Sequence, residues 1–301
     1  MGCRGHRLIV TTAMPRPGSL PVRPTCRVIV DNDWTGDPDG LVGLAHHLLS
    51  PSNEVVLVTS SRLADMFVHD RGSPAHGADL AAEVVALSGA AAPRIAAGSP
   101  TWFADGASSD AADAIVEVAR SQPQGSDTPL LLVCAGPLTN VAQALAQDPG
   151  ISALLTLVWV GGALDGGFEY NRDTDPAAAE FVFARPDLQI VQFPVEAYRQ
   201  VACSVAELEW ELGHATGELG ERLWQAFLDL PLPDFVRLGG TWALGDSCPL
   251  LLTALSGDSS EARDAVHPGV AARRTVYTRV DGRLIVADFL AKLRLQASGS
   301  V

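Results

Sequence analysis

Four aspartates leave one apolar run within nine residues: Asp31, Asp33, Asp37 and Asp39 in VIVDNDWTGDPDG, Val28 to Gly40. Carboxylates packed this densely repel one another, at a cost on the order of several kcal/mol if they converge without a cation. A hard divalent ion, which takes oxygen ligands, removes that cost. The same residues also read as a solvated acidic turn, with Asp39 as the N-cap of a helix over Gly40–Leu49. The run ahead of them is continuously apolar, as in a strand buried on both faces, and this favours the metal reading. Asp246, in LGDSCPLLLTAL, is by itself an ordinary helix start; it gains meaning as a distant ligand for the first cluster.

Two further segments carry polar groups of the right kind. In VGGALDGGFEYNRDTDPAAAEFVF, Val160 to Phe183, Glu169 and Asn171 are spaced by two and share one side if the backbone is extended. Such a pair suits bidentate recognition of hydroxyls, and Asp175-Pro176 then opens a helix with Pro in its first turn. Without further support the segment reads equally as a glycine-rich loop and a capped helix. CAGPLTNVAQAL, Cys134 to Leu145, is a strand end followed by a helix and by itself is only a βα junction.

Short apolar runs alternating with amphipathic stretches position these groups. Expected strands are Val28–Asp31, Val55–Thr59, Leu130–Cys134, Leu157–Val160 and Leu188–Phe193. Expected helices are Gly40–Leu49, Ala78–Ser88, Asp110–Arg120, Leu138–Ala146 and Pro176–Ala184. The pattern turns more helical through Val205–Leu212 and Gly217–Leu230, and two strands, Thr275–Val280 and Leu284–Ala287, close the chain. The expected fold is α/β: a parallel-rich central sheet flanked by helices, with an open Rossmann-like core. Residues 1–26 read as a flexible arm and 27–301 as a single domain. In such sheets ligands sit outside the carboxyl ends of the strands, where the acidic cluster begins.

Composition excludes some partners. A net charge of −14 over 301 residues argues against binding a phosphate backbone. No apolar run is long enough to span a membrane. Five scattered cysteines, never in C-x-x-C spacing, read as reduced, mostly buried thiols of a cytoplasmic protein. Cys248 lies near Asp246 but has no His close by in a nucleophile pattern.

Taken together, the four elements in this order resemble the inosine-uridine-preferring nucleoside hydrolase family. That family has D-x-D-P-G-x-D-D-A after its first strand, then G-P-L-T-N, then M-G-G…E-F-N…D-P-E-A-A, and a late H-D-P-L-A. The matching stretches here are Asp31–Gly40, Gly136–Asn140, Gly161–Ala178 and Gly245–Leu250, and similarity extends over Arg27 to Leu293. The resemblance implies hydrolysis of the N-ribosidic bond of a small-molecule riboside, one Ca²⁺ per chain, and a homodimer or homotetramer. It places the base at Asp33 and metal ligation at Asp33, Asp39, Asp246 and the carbonyl of Ala135. Glu169 and Asn171 match the residues that grip the ribose; Asp37 and Trp242 are further substrate candidates, and Asp31 and His76 additional site candidates.

The chain departs from the pattern in several places. The first motif carries an extra residue, and Pro38 breaks the paired aspartates. No asparagine stands in Ser60–Ala64 or in Ala163–Phe168. Gly245 replaces the histidine that would protonate a departing base, leaving His69, His76, His214 and Trp242 to line that side. Two other readings compete. Asp31-Asn32-Asp33-Trp34-Thr35 fits the D-x-D-x-T opening of a haloacid-dehalogenase-type phosphatase, although the only lysine, Lys292, follows both acidic elements. The other is a family member that binds metal and a ribosyl ligand without turning it over.

Overall fold

The Val- and Leu-rich runs become strands because their side chains find apolar partners on both faces. A computed structural model describes residues 20–64, 72–103, 108–123, 126–230, 238–267 and 270–299. Strand and helix alternate through β1 (Cys26–Asn32), α1 (Asp39–Leu48), β2 (Asn53–Ser60), α2 (Pro74–Ser88), β3 (Arg94–Ala97), α3 (Asp110–Arg120), β4 (Leu130–Cys134), α4 (Thr139–Gln147) and β5 (Thr156–Val160). Helices α5 (Tyr170–Thr174) and α6 (Pro176–Phe183) lead to β6 (Gln189–Phe193) and α7 (Val195–Tyr198). Then come β7 (Ala202–Ser204), α8 (Val205–Trp210), α9 (Gly217–Leu228), β8 (Thr241–Ala243), α10 (Leu250–Thr253), β9 (Glu261–His267), β10 (Val270–Arg279) and α11 (Gly282–Ala297).

The main sheet runs β3-β2-β1-β4-β5-β6-β10-β9. Every pairing in it is parallel except β9 with β10. Along β1, Val28 and Val30 pack towards α1 and α11, while Ile29 packs towards α3 and α4. Each face thus has its own apolar layer, which is why these strands read as unbroken apolar runs. From β1 the chain winds outward through β2 and β3, then returns to β4 on the other side of β1 and winds outward again. The carboxyl ends of β1 and β4 therefore flank the switch point where open sheets of this kind leave a crevice. β7 and β8 pair antiparallel as a separate small ribbon. No described helix is long and apolar enough to cross a membrane.

Three local expectations are corrected. Leu284–Ala287 is helical, part of α11: the Asp281 carboxylate accepts from Leu284 N–H at 3.0 Å, and Ile285, Val286, Phe289, Leu290 and Leu293 line one buried face. A four-residue apolar window shows no period; the longer spacing is that of a helix. Glu169 and Asn171 are not in an extended stretch: Glu169 caps α5 and Asn171 lies inside it. Asp39 is the first residue of α1 and not its cap, because Pro38 already has helical angles.

Candidate active site

β1 ends by delivering Asp31, Asn32 and Asp33 to the switch point, and their alternation sends them to different tasks. Asp31 points into the protein. Its carboxylate accepts from Thr59 Oγ1 at 2.5 Å, Asn140 Nδ2 at 2.7 Å and Cys134 Sγ at 3.4 Å. Burial pushes its pKa up to about 6, against the lowering effect of those donors. Asp31 is thus a brace across β1, β2, β4 and α4, with its oxygens turned away from the crevice. Asn32 accepts from Asp33 N–H at 2.8 Å and donates to Asp246 Oδ2 at 2.8 Å. It links the two acidic motifs that lie far apart in the chain.

Asp33 and Asp39 are buried and Asp246 is half-buried. Asp246 sits in a single 3₁₀ turn, Gly245–Ser247, laid against α1, and its N–H donates to Asp39 Oδ2 at 3.2 Å. Gly40 and Gly43, one helical turn apart, make that approach possible. A Cβ on Gly40 would lie 2.7 Å from Asn32 Nδ2, and one on Gly43 3.0 Å from the Asp246 carbonyl oxygen. All three carboxyls are pushed above their ordinary range, first by burial; the Asp246 charge then raises Asp33 and Asp39, and the Asp37 and Glu169 charges raise Asp246. Asp246 rises to about 7. Asp37 is exposed at the rim, where its carboxylate accepts from Trp242 Nε1 at 3.0 Å.

Among the described residues, no three acidic, His or Cys side chains close round a common point as a metal cage. The donor chemistry nevertheless fits an oxygen-seeking divalent cation. Asp33, Asp39 and Asp246 are mutually repelling carboxyls drawn to one crevice, where a cation would offset the repulsion. Ala135, at the end of β4, completes the rim. Its carbonyl accepts from Asn171 Nδ2 at 3.0 Å and, as a carbonyl, keeps a second lone pair.

α5 brings Glu169 and Asn171, the pair expected to bind hydroxyls, to the same rim. Asn171 Nδ2 donates to Ala135 O and, at 2.8 Å, to Val160 O, which assigns its amide and leaves Oδ1 as an acceptor. Glu169 Oε2 accepts from Gly162 N–H at 2.6 Å and Arg172 N–H at 3.0 Å, and Oε1 from the Tyr198 hydroxyl at 3.1 Å. Burial raises its pKa, and these donors oppose the rise.

The remaining sequence candidates fall into two groups. Half-buried His76 lies in the first turn of α2, whose Gly77 packs on Ser60 and Trp34 at the edge of the crevice. His214 is exposed in the π-helical turn Glu211–Ala215 after α8, and His69 lies outside the described residues. Sequence reasoning missed Asn32, Asn140, Tyr170 and Tyr198. Asn32 and Tyr170 were flanked by residues already singled out, and Asn140 ends the G-P-L-T-N stretch. Tyr198 has no local pattern that would mark it.

The fold and crevice define an α/β protein of nucleoside hydrolase type. The sequence model described as inosine-uridine preferring nucleoside hydrolase matches residues 28–254, and the chain belongs to that family. A pyrimidine-specific ribonucleoside hydrolase RihA of Klebsiella pneumoniae is 35% identical over 115 residues, 32% of this chain and 37% of that protein. The chain thus matches little more than a third of that relative's length. Among solved structures, the plant nucleoside hydrolase PpNRh1 has a TM-score of 0.67 at 17% identity, covering 90% of this chain and 99% of that one. The inosine-uridine preferring nucleoside hydrolase from Bacillus anthracis has 0.65 at 19%, covering 89% and 99%. At such identities the likeness shows the fold. The phosphatase alternative fails against the family match. Lys292 also bonds Ser50 Oγ and Asp288 beyond the far end of α1, away from the acidic crevice.

Proposed function

We propose that this chain hydrolyses the N-ribosidic bond of a ribonucleoside or related riboside, with Ca²⁺ as its metal. The observation that carries the reading is the meeting, at the β1/β4 switch point, of two acidic motifs over 200 residues apart with the turn that carries Glu169 and Asn171. Asp33, Asp39, Asp246 and the Ala135 carbonyl would hold the cation. Bound there, it would supply positive charge that acidifies a water near neutral pH.

The chain's own groups do the rest. Asp33 accepts the proton of the attacking water. Glu169, fixed by three donors, and Asn171, through Oδ1, accept hydrogen bonds from the ribose hydroxyls. Gripping the sugar in this way favours the flattened, oxocarbenium-like geometry of the transition state. Asp37 and Trp242 form the outer wall, with Phe227 packed edge-on against the indole at 5.3 Å. The family resemblance adds a homodimer or homotetramer, which light scattering on the purified protein would test.

The decisive experiment measures calcium affinity and turnover of 4-nitrophenyl riboside in the wild type, Asp33→Ala and Asp246→Ala. One bound Ca²⁺, weakened in both variants, with turnover reduced at least about 10³-fold in Asp33→Ala, is the expected result. A wild type that binds no divalent ion, or cleaves no riboside, would sink the reading.

A further inference from the structure

Tyr170 stands between the two residues assigned to the sugar, on the single turn of α5. Three groups hydrogen-bond its hydroxyl: the Ala64 N–H, the Asp33 carboxylate and the Thr174 side chain. Ala64 N–H lies 3.1 Å from the phenolic oxygen, and Asp33 Oδ2 lies 3.0 Å from it. An amide N–H only donates and an ionised carboxylate only accepts, so the phenolic oxygen accepts from Ala64 and its own proton goes to Asp33. The backbone of Asp33 is held as well, by Asn32 Oδ1. One lone pair of Oδ2 is thereby occupied, and the bond restrains rotation of the Asp33 carboxylate.

We infer that Tyr170 is a positioning residue for Asp33, restraining rotation of the proposed base's carboxylate and tying the base to the turn that grips the sugar. The inference rests on the function proposed above. The hydroxyl thus joins two elements: Ala64 lies in the segment leaving β2, and the ring rides on α5, where Asn171 bonds the Ala135 and Val160 carbonyls and the capping Glu169 bonds Gly162 N–H. Phenylalanine at this position keeps the ring and the turn but frees the Asp33 carboxylate to rotate. Small misplacements of a reacting group cost up to about 10²-fold in rate.

The test is Tyr170→Phe in the full chain at saturating Ca²⁺, with 4-nitrophenyl riboside as substrate. The expected result is a fall in kcat of about 10- to 100-fold, with KM within about twofold and an unchanged melting temperature. That split separates positioning from a structural role, which would lower the melting temperature, and from sugar binding, which would raise KM. An unchanged kcat, or a rise in KM alone, overturns the inference while an active wild type preserves the functional reading. A wild type that cleaves no riboside overturns both.

Discussion

Gly245 and Tyr198 occupy one volume between them. A Cβ at position 245 would lie 2.9 Å from Tyr198 Cδ2 and 3.2 Å from its Cβ, so the phenol ring takes the space into which a side chain would grow. The family pattern has a histidine here, ahead of the late aspartate, as the proton donor to the departing base. Tyr198 does not replace that chemistry. Its hydroxyl already donates to Glu169, and burial together with the Glu169 charge raises its pKa above that of a free phenol, which holds the proton in that bond. General acid assistance is worth roughly 10²–10⁴-fold, so leaving groups that need a proton should be slow. Expected is a kcat/KM for 4-nitrophenyl riboside at least about 10²-fold above that for inosine, measured on the same preparation. Comparable values would mean that another group protonates the base, and His76→Ala would then be the variant to examine.

At the scale of elements, the two motifs that most strongly suggested a family turn out to be braces. In G-P-L-T-N, Thr139 Oγ1 donates to Asp175 Oδ2 at 2.7 Å and Asn140 Nδ2 to Asp31 Oδ1 at 2.7 Å. Asp175, first residue of the D-P pair, also caps α6 and accepts from Phe103 N–H. Helices α4 and α6 are thus locked to each other and to β1 by buried carboxylates. Asn140→Ala should therefore cost about 1–3 kcal/mol, because the buried Asp31 carboxylate loses a donor that nothing replaces. Urea denaturation checks this; a loss under about 0.5 kcal/mol would show that the bond is not structural. The strands buried on both faces, β1, β4, β5 and β6, were legible because their apolar runs have no alternative use. The acidic crevice was legible as composition, since repulsion among Asp31, Asp33, Asp37 and Asp39 demands an explanation. Only geometry separates Asp31, turned inward, from Asp33, turned outward. β9 escaped detection because an edge strand opening Glu-Ala-Arg-Asp has no apolar period, and β3, β7 and β8 are too short to show one. α11 was misread in part because four apolar residues in a row fit either period.

At the scale of the whole molecule, the acidic crevice links stability to pH in a direction opposite to the usual one for carboxylates. Asp246 titrates at about 7 in the folded protein against an ordinary 3.8, and Asp33 and Asp39 move the same way. Between about pH 4 and pH 7 the folded chain therefore holds protons that the unfolded chain has released. Stability is full below the unfolded-state value and falls as pH rises through the folded one. A divalent cation competes with those protons for the same oxygens, so its stabilising effect should grow over that window. The metal-stripped protein is expected to melt at a lower temperature at pH 8 than at pH 5, and millimolar Ca²⁺ should raise the melting temperature more at pH 8. The net charge of −14 produces a slope of the same sign through surface repulsion, but the two are separable. At 1 M salt the screening length is about 3 Å, which removes repulsion between exposed charges and leaves a buried cluster largely unscreened. A slope that persists in high salt and flattens in Asp246→Asn would locate the effect in the crevice. One that disappears in salt and survives the substitution would assign it to the surface, and the carboxylates of the crevice would then have to be ionised and accommodated without a cation.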